Sequence, residues 1–187
     1  MIESRGGGLS MKKDLLYVDG YNMIGSWPHL QKYQRQNDMV TARETLLHDL
    51  SEYAKYEDVE IRVVFDAQFV PGIQQTYELH NLQVIFTKED ETADSYIEKA
   101  VGEENLFTTN VIVATSDLAE QWLIFQRGAS RKSARDLYKE IKHTNAKIES
   151  DTIDYNIKNV RRNTPFNEEQ ELALWKLMND LINREKE

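Results

Sequence analysis

The sequence predicts an α/β domain with a central, mainly parallel sheet and helices on both faces. Short apolar runs alternate with segments of helical spacing, the signature of strands joined by crossover helices. The runs are also almost continuously apolar, as in strands covered on both faces rather than half-exposed ones. Several of them end on a carboxylate.

In chain order, "DLLYV" (14–18) reads as the first strand and leads into "DGYN", read as a turn. "MVTARETLLHDLSEYAKY" (39–56) places Ala42, Leu46, Leu50 and Ala54 at steps of four, one face of a helix, with Asp38 as its cap. "VEIRVVF" (59–65) is rich in β-branched residues and reads as the second strand, and "LQVIF" (82–86) as the third. "TADSYIEKAVGEE" (92–104) reads as a helix capped by Thr92, "NVIVAT" (110–115) as the fourth strand, and "DLAEQWLIF" (117–125) as the start of a helix. A further helix is expected over 130–144, opened by Ser130. Residues 145–164 are polar and mixed.

The termini read differently. "MIESRGGGLS" (1–10) is expected to be a disordered leader or an added tag, with Met11 as a natural start, because its glycines oppose any packed element. The domain proper is expected over 11–164. Beyond Pro165, the residues Leu172, Trp175, Met178, Leu181 and Ile182 line one stripe, so 165–187 reads as an amphipathic helix packed back on the domain.

Composition narrows the function classes. Among 187 residues none is cysteine, which removes disulfides and thiolate zinc sites. No apolar stretch is long enough to span a bilayer, and no secretory signal is visible, so a reducing, cytoplasmic setting is expected and no membrane partner. A net charge of −9 argues against a general nucleic-acid coat protein. The acidity is uneven, however. From Arg127 to His143 the chain carries Arg127, Arg131, Lys132, Arg135, Lys139 and Lys142 against only Asp136 and Glu140. Such a stretch suits local contact with a polyanion.

The acids fall where a parallel sheet binds its ligands, in the crevice outside the carboxyl ends of the strands. The first strand ends on Asp19, the second on Asp66, and the fourth on Ser116 and Asp117. The segment after the third brings Glu91 and Asp94 to the next helix. One such carboxylate is ordinary turn or cap chemistry. Several on one rim repel each other and call for a cation. An all-oxygen donor set suits Mg2+ or Mn2+. His29, His48, His80 and His143 are scattered and fit packing or surface roles. A metal held by carboxylates polarises a phosphoryl oxygen and acidifies the attacking water, which is phosphodiester hydrolysis. Asp19, Asp94 and Asp117 are the expected ligands, with Asp66 widening the site and Glu91 a further candidate. Asn22 is placed to hold Asp19, a water or a phosphate. Gly20 permits the turn and leaves room near a phosphate. Thr115 and Ser116 either orient a carboxylate or cap the following helix.

No GxxxxGK[ST], GxGxxG or GxSxG stretch is present, which disfavours P-loop, dinucleotide and α/β-hydrolase chemistry. A receiver-type phosphoacceptor domain, with Lys88 as its lysine, fits less well than a nuclease.

Taken together, "LLYVDGYNMIGSWP" (15–28), "VVFDAQ" (63–68), "VIFTKEDETADSYIE" (84–98) and "VATSDLAEQWLIFQRGASRKSARDL" (113–137) resemble the YacP-like branch of the NYN-domain family. The resemblance implies a PIN-like three-layer fold and a metal-dependent endoribonuclease acting on single-stranded or loosely structured RNA. It places the family's acids on Asp19, Asp66, Asp94 and Asp117, and its asparagine on Asn22. The block "GASRKSAR" (128–135) matches the same branch. Water attacking phosphorus would leave a 5'-phosphate and a 3'-hydroxyl. Arg127, Arg131, Lys132 and Arg135 are expected to hold RNA phosphates, with Arg131 and Arg135 on one helical face. A large ribonucleoprotein such as the ribosome is a candidate partner for so acidic a chain, with mRNA decay as the setting. Two rival readings remain: a non-catalytic RNA- or ribosome-binding module, and a metal-dependent phosphatase for small substrates. Retention of the acids weighs against the first, and the extended basic stretch against the second.

Overall fold

The computed structural model describes residues 12–67, 77–79, 81–116 and 128–163, together with 170, 172, 173, 175 and 176. Its elements are β1 (Lys13–Asp19), α1 (Gly20–Ser26), α2 (Pro28–Arg35), α3 (Met39–Glu57), β2 (Glu60–Phe65), β3 (Tyr77–Leu79), β4 (Leu82–Phe86), α4 (Ala93–Glu103), β5 (Thr109–Ala114), β6 (Ser130–Lys132) and α5 (Ala134–Asn163). The described strands form one sheet in the order β3-β4-β2-β1-β5-β6. Every pairing is parallel except β3 with β4. Strand order reverses at β1, which pairs with β2 on one side and β5 on the other, so the switch point of the sheet lies there.

Period-two alternation sorts the core onto two faces. Leu16, Val18, Ile61, Val63 and Phe65 join one buried cluster with residues of α1, α2, α3 and α5. Leu15, Tyr17, Val64, Val111 and Val113 join the other, with Ala93, Ile97 and Val101 of α4. This is the expected three-layer α/β arrangement. Two compact units divide the chain, Met1–Asn145 and Ala146–Glu187. The first holds the sheet. The described part of the second is helical, and Leu172 and Trp175 are exposed.

Expected and observed elements differ in four places. "DGYN" is not a simple turn. Asp19 caps α1, a helix that glycine and asparagine propensity conceals, and Pro28 then opens α2. The edge strand β3 is too short to announce itself in the sequence. Ser130 does not open a helix, because Ser130–Lys132 pair with β5 as a strand. The cap is Ser133, whose hydroxyl accepts the Asp136 N–H at 3.1 Å and donates to the Asp136 carboxylate at 2.6 Å. Finally, the polar segment after 144 stays helical to Asn163, since no glycine or proline interrupts it. The leader 1–10, the helix expected over 117–125 and most of 165–187 lie outside the described residues.

Candidate active site

Asp19 ends β1 and begins α1. Its carboxylate accepts the backbone N–H of Asn22 at 3.0 Å, and its side chain lies on the row continued from Leu15 and Tyr17 toward α4. Asp66 continues the corresponding row of β2 after Val64, and Asp94 sits in the first turn of α4. The alternation of two adjacent parallel strands and the start of one helix thus deliver three aspartates to a common rim. Asp19 is only 9% exposed. Burial pushes its pKa up from 3.8 to about 6, and the charges of Asp94 and Asp66 push the same way. The Asn22 and Tyr21 amides oppose this by hydrogen bonding to the carboxylate. Asp94 is exposed and Asp66 half-buried.

Asn22 spans the switch point. While its N–H holds Asp19, its Oδ1 accepts the N–H of Ser116 at 3.1 Å. It therefore fastens the end of β5 to the end of β1, one residue before Asp117. Asp117 itself lies outside the described residues, as does Arg127. Glu91 is half-buried in the turn before α4, where its N–H donates to the Lys88 carbonyl at 3.0 Å.

Gly20 has a different reason from the one expected. A Cβ there would stand 2.2 Å from the Phe65 ring, so the space is filled by that ring and not kept for phosphate. Phe65 stacks on Phe86 and takes the edge of Tyr21. The Tyr21 hydroxyl accepts from Arg43 at 3.3 Å, and the charges of Arg43 and Asp66 both act on it. Arg43 is a cation beside the rim that the sequence reading missed, since it looks like one more polar residue on α3.

The basic stretch is divided. Arg131 stands on β6 opposite Val113 and donates to the Thr115 carbonyl at 3.4 Å. Lys132 binds Glu140 at 2.6 Å, and the Tyr53 hydroxyl donates to the same carboxylate at 2.9 Å. Arg135 is exposed in the first turn of α5. Arg131 and Arg135 therefore share no helical face, because the helix starts only at Ala134.

The donor chemistry of Asp19, Asp66 and Asp94 fits a hard divalent cation: all oxygen, net negative, one of them buried. Among the described residues no group of three His, Cys, Asp or Glu is placed to hold a metal ion.

A family model described as "YacP-like NYN domain" matches residues 16–179. This chain belongs to the YacP-like NYN domain family, a branch of the PIN-like endoribonucleases. It is 48% identical over 136 residues to a Bacillus subtilis (strain 168) protein named "Uncharacterized protein YacP", covering 73% of this chain and 79% of that one. It is also similar to crystal structures of Rae1 (YacP) from Bacillus subtilis. One has a TM-score of 0.70 at 38% identity, covering 92% of this chain and 94% of that one. The other, of a point mutant, has a TM-score of 0.66 at 40% identity, covering 84% and 89%. Among the described residues no helix is long and apolar enough to cross a membrane.

Proposed function

We propose that Asp19, Asp66, Asp94 and Asp117, with Glu91 as an outer member, hold Mg2+ or Mn2+ and hydrolyse phosphodiester bonds in single-stranded RNA. One observation carries this reading. Asp19 is buried at the carboxyl rim of the switch point, and the charges of Asp94 and Asp66 raise its pKa further to about 6. A site that gathers like charges around a buried carboxylate is suited to binding a cation. When bound, a divalent ion supplies Lewis acidity toward the phosphoryl group and a more acidic water. The chain's own residues do the rest. Asn22 locks the turn that presents Asp19 and ties the segment entering Asp117 to it. Arg43, Arg131 and Arg135 supply positive charge for RNA phosphates, and Arg127 belongs to the same basic stretch. Lys132 is engaged by Glu140 and contributes less.

The surplus of acid makes unaided capture of RNA unfavourable at long range, since the net charge is −9. This favours a cytoplasmic setting in which a ribonucleoprotein such as the ribosome presents mRNA to the enzyme. The test combines two measurements. Crystals soaked in Mn2+ should place the ion against Asp19, and end-labelled single-stranded RNA should be cut only with Mg2+ or Mn2+, leaving 5'-phosphates. Cleavage at the same rate in chelator, or an ion seated away from Asp19, overturns the reading.

A further inference from the structure

We infer that Thr87 is a positioning residue that fixes Asp66 through one unusual rung of the sheet. The inference rests on the acid cluster being a cation site.

Strands β2 and β4 pair in parallel, ending at Phe65↔Phe86. The next bond of that ladder is made: the Thr87 N–H donates to the Phe65 carbonyl at 3.0 Å. In a regular parallel ladder the bond after it runs from the Ala67 N–H to the Thr87 carbonyl and completes a rung at Asp66. Here the Ala67 N–H donates instead to the Thr87 hydroxyl, at 3.1 Å. A side chain has taken the place of a backbone acceptor.

Two consequences follow from geometry. First, both peptide groups flanking Asp66 are held by one residue, the preceding carbonyl by the Thr87 N–H and the following N–H by its hydroxyl. Asp66 lies outside β2 yet has a strand's restraint. Second, the Ala67 N–H is directed to the hydroxyl rather than to the ladder, and β4 ends at Phe86, one residue earlier, before the segment that leads to Glu91 and Asp94. Thr87 is 1% exposed, so water does not compete for the bond. The hydroxyl is the group that accepts here. Valine has the shape without the acceptor, and serine keeps the acceptor without the methyl. Asp66 acts electrostatically on Asp19, so the placement of Asp66 is felt by the buried carboxylate.

The test measures Mn2+ binding by electron paramagnetic resonance on the full chain without RNA, well below the melting temperature of each variant. Thr87→Val should weaken Mn2+ binding by about 10–100-fold, as loss of a group orienting a metal ligand does. Thr87→Ser should restore it, even though the smaller side chain lowers the melting temperature. A purely structural role would lower the melting temperature in both variants and leave the Mn2+ constant unchanged, which overturns the inference. Equal weakening in the Ser and Val variants also overturns it, because the hydroxyl would then not be the agent. If Thr87→Val fails to fold, hydrogen exchange in the wild type decides. The Ala67 amide should be protected like the strand amides of β2, and exchange at an open-loop rate overturns the inference. Wild-type protein that binds no Mn2+ overturns the cation-site reading and this inference with it. Normal wild-type binding with an unchanged Val variant overturns this inference alone.

Discussion

Two polar clusters lie along the same two side-chain rows of β1 and β2, on one face of the sheet, near opposite ends of α4. At the level of Tyr17 and Arg62, beside the end of α4, the Arg62 guanidinium donates to both the Tyr17 hydroxyl and the Glu104 carboxylate, and the Tyr17 hydroxyl donates to Glu104 at 2.9 Å. Arg62 also pairs with Glu60, which Lys13 holds from the other side. Burial pushes the Tyr17 phenol up, so it stays neutral and donates. Negative charge there meets positive charge. Where the two rows end, at Asp19 and then Asp66 beside the start of α4, the like charges of Asp66 and Asp94 act on a buried carboxylate. The same sheet and helix that balance charge at one end gather one sign at the other. Balance serves the fold. Imbalance serves a ligand that brings the missing charge.

The largest expected effects come from removing the central charge. Asp19→Asn should lower single-turnover cleavage by more than the roughly 10–100-fold that loss of a metal ligand's partner costs. Stability should move the other way, with a pH signature. In the fold Asp19 keeps its proton up to about 6, above its ordinary 3.8. Between those values the folded chain binds more protons than the unfolded one, so stability falls as pH rises through that window and levels off above it. The size is about 3 kcal/mol at most. Melting of the chelator-treated protein from pH 4 to 7 should record that fall, and Asp19→Asn should remove it and melt higher at pH 7. An unchanged pH profile in the variant would mean that the carboxylate is not strained.

Breaking the balanced cluster should do the reverse. Arg62→Met leaves the Tyr17 hydroxyl and Glu104 without their cation, and should cost about 1–3 kcal/mol in urea unfolding. RNA cleavage well below the melting temperature should be unchanged. A loss of activity there would mean that the two clusters are coupled.

The smallest effects separate two neighbouring bases. Arg135→Gln, at an exposed position, should weaken RNA binding and reduce the slope of log affinity against log salt by up to about one unit. Lys132→Gln should leave that slope alone and lose about 0–1 kcal/mol of stability, because its charge is spent on Glu140. Equal salt slopes in both variants would show Lys132 leaving Glu140 for RNA.

These contrasts mark what could be read in the sequence. The strands of β1, β2, β4 and β5 were legible because each is a continuous apolar run, and Asp38 and Thr92 were legible as caps because side chain and helix start are adjacent. Asp19 and Asp66 were legible as strand-end acids, and Asp94 as an acid at the start of the next helix, for the same local reason. The missed features join residues far apart in the chain. Phe65 explains Gly20, Glu140 claims Lys132, and Thr87 completes a rung at Asp66. Strand β6 was missed because pairing with β5 overrides the weak preference of three polar residues. None of these pairings leaves a periodic trace.

Gly20 shows where such a pairing leads. It opens α1, and a protein engineer would ordinarily exchange a helix glycine for alanine to gain about 0.5–1 kcal/mol. Here the added methyl would meet the Phe65 ring at 2.2 Å. The turn that presents Asp19 and the aromatic layer beneath it are thus a single heritable unit. A side chain at 20 becomes tolerable only with a smaller residue at 65, so the two positions are expected to change together in related chains. Transplanting "DGYN" alone onto another sheet would carry the acid without the ring that seats it.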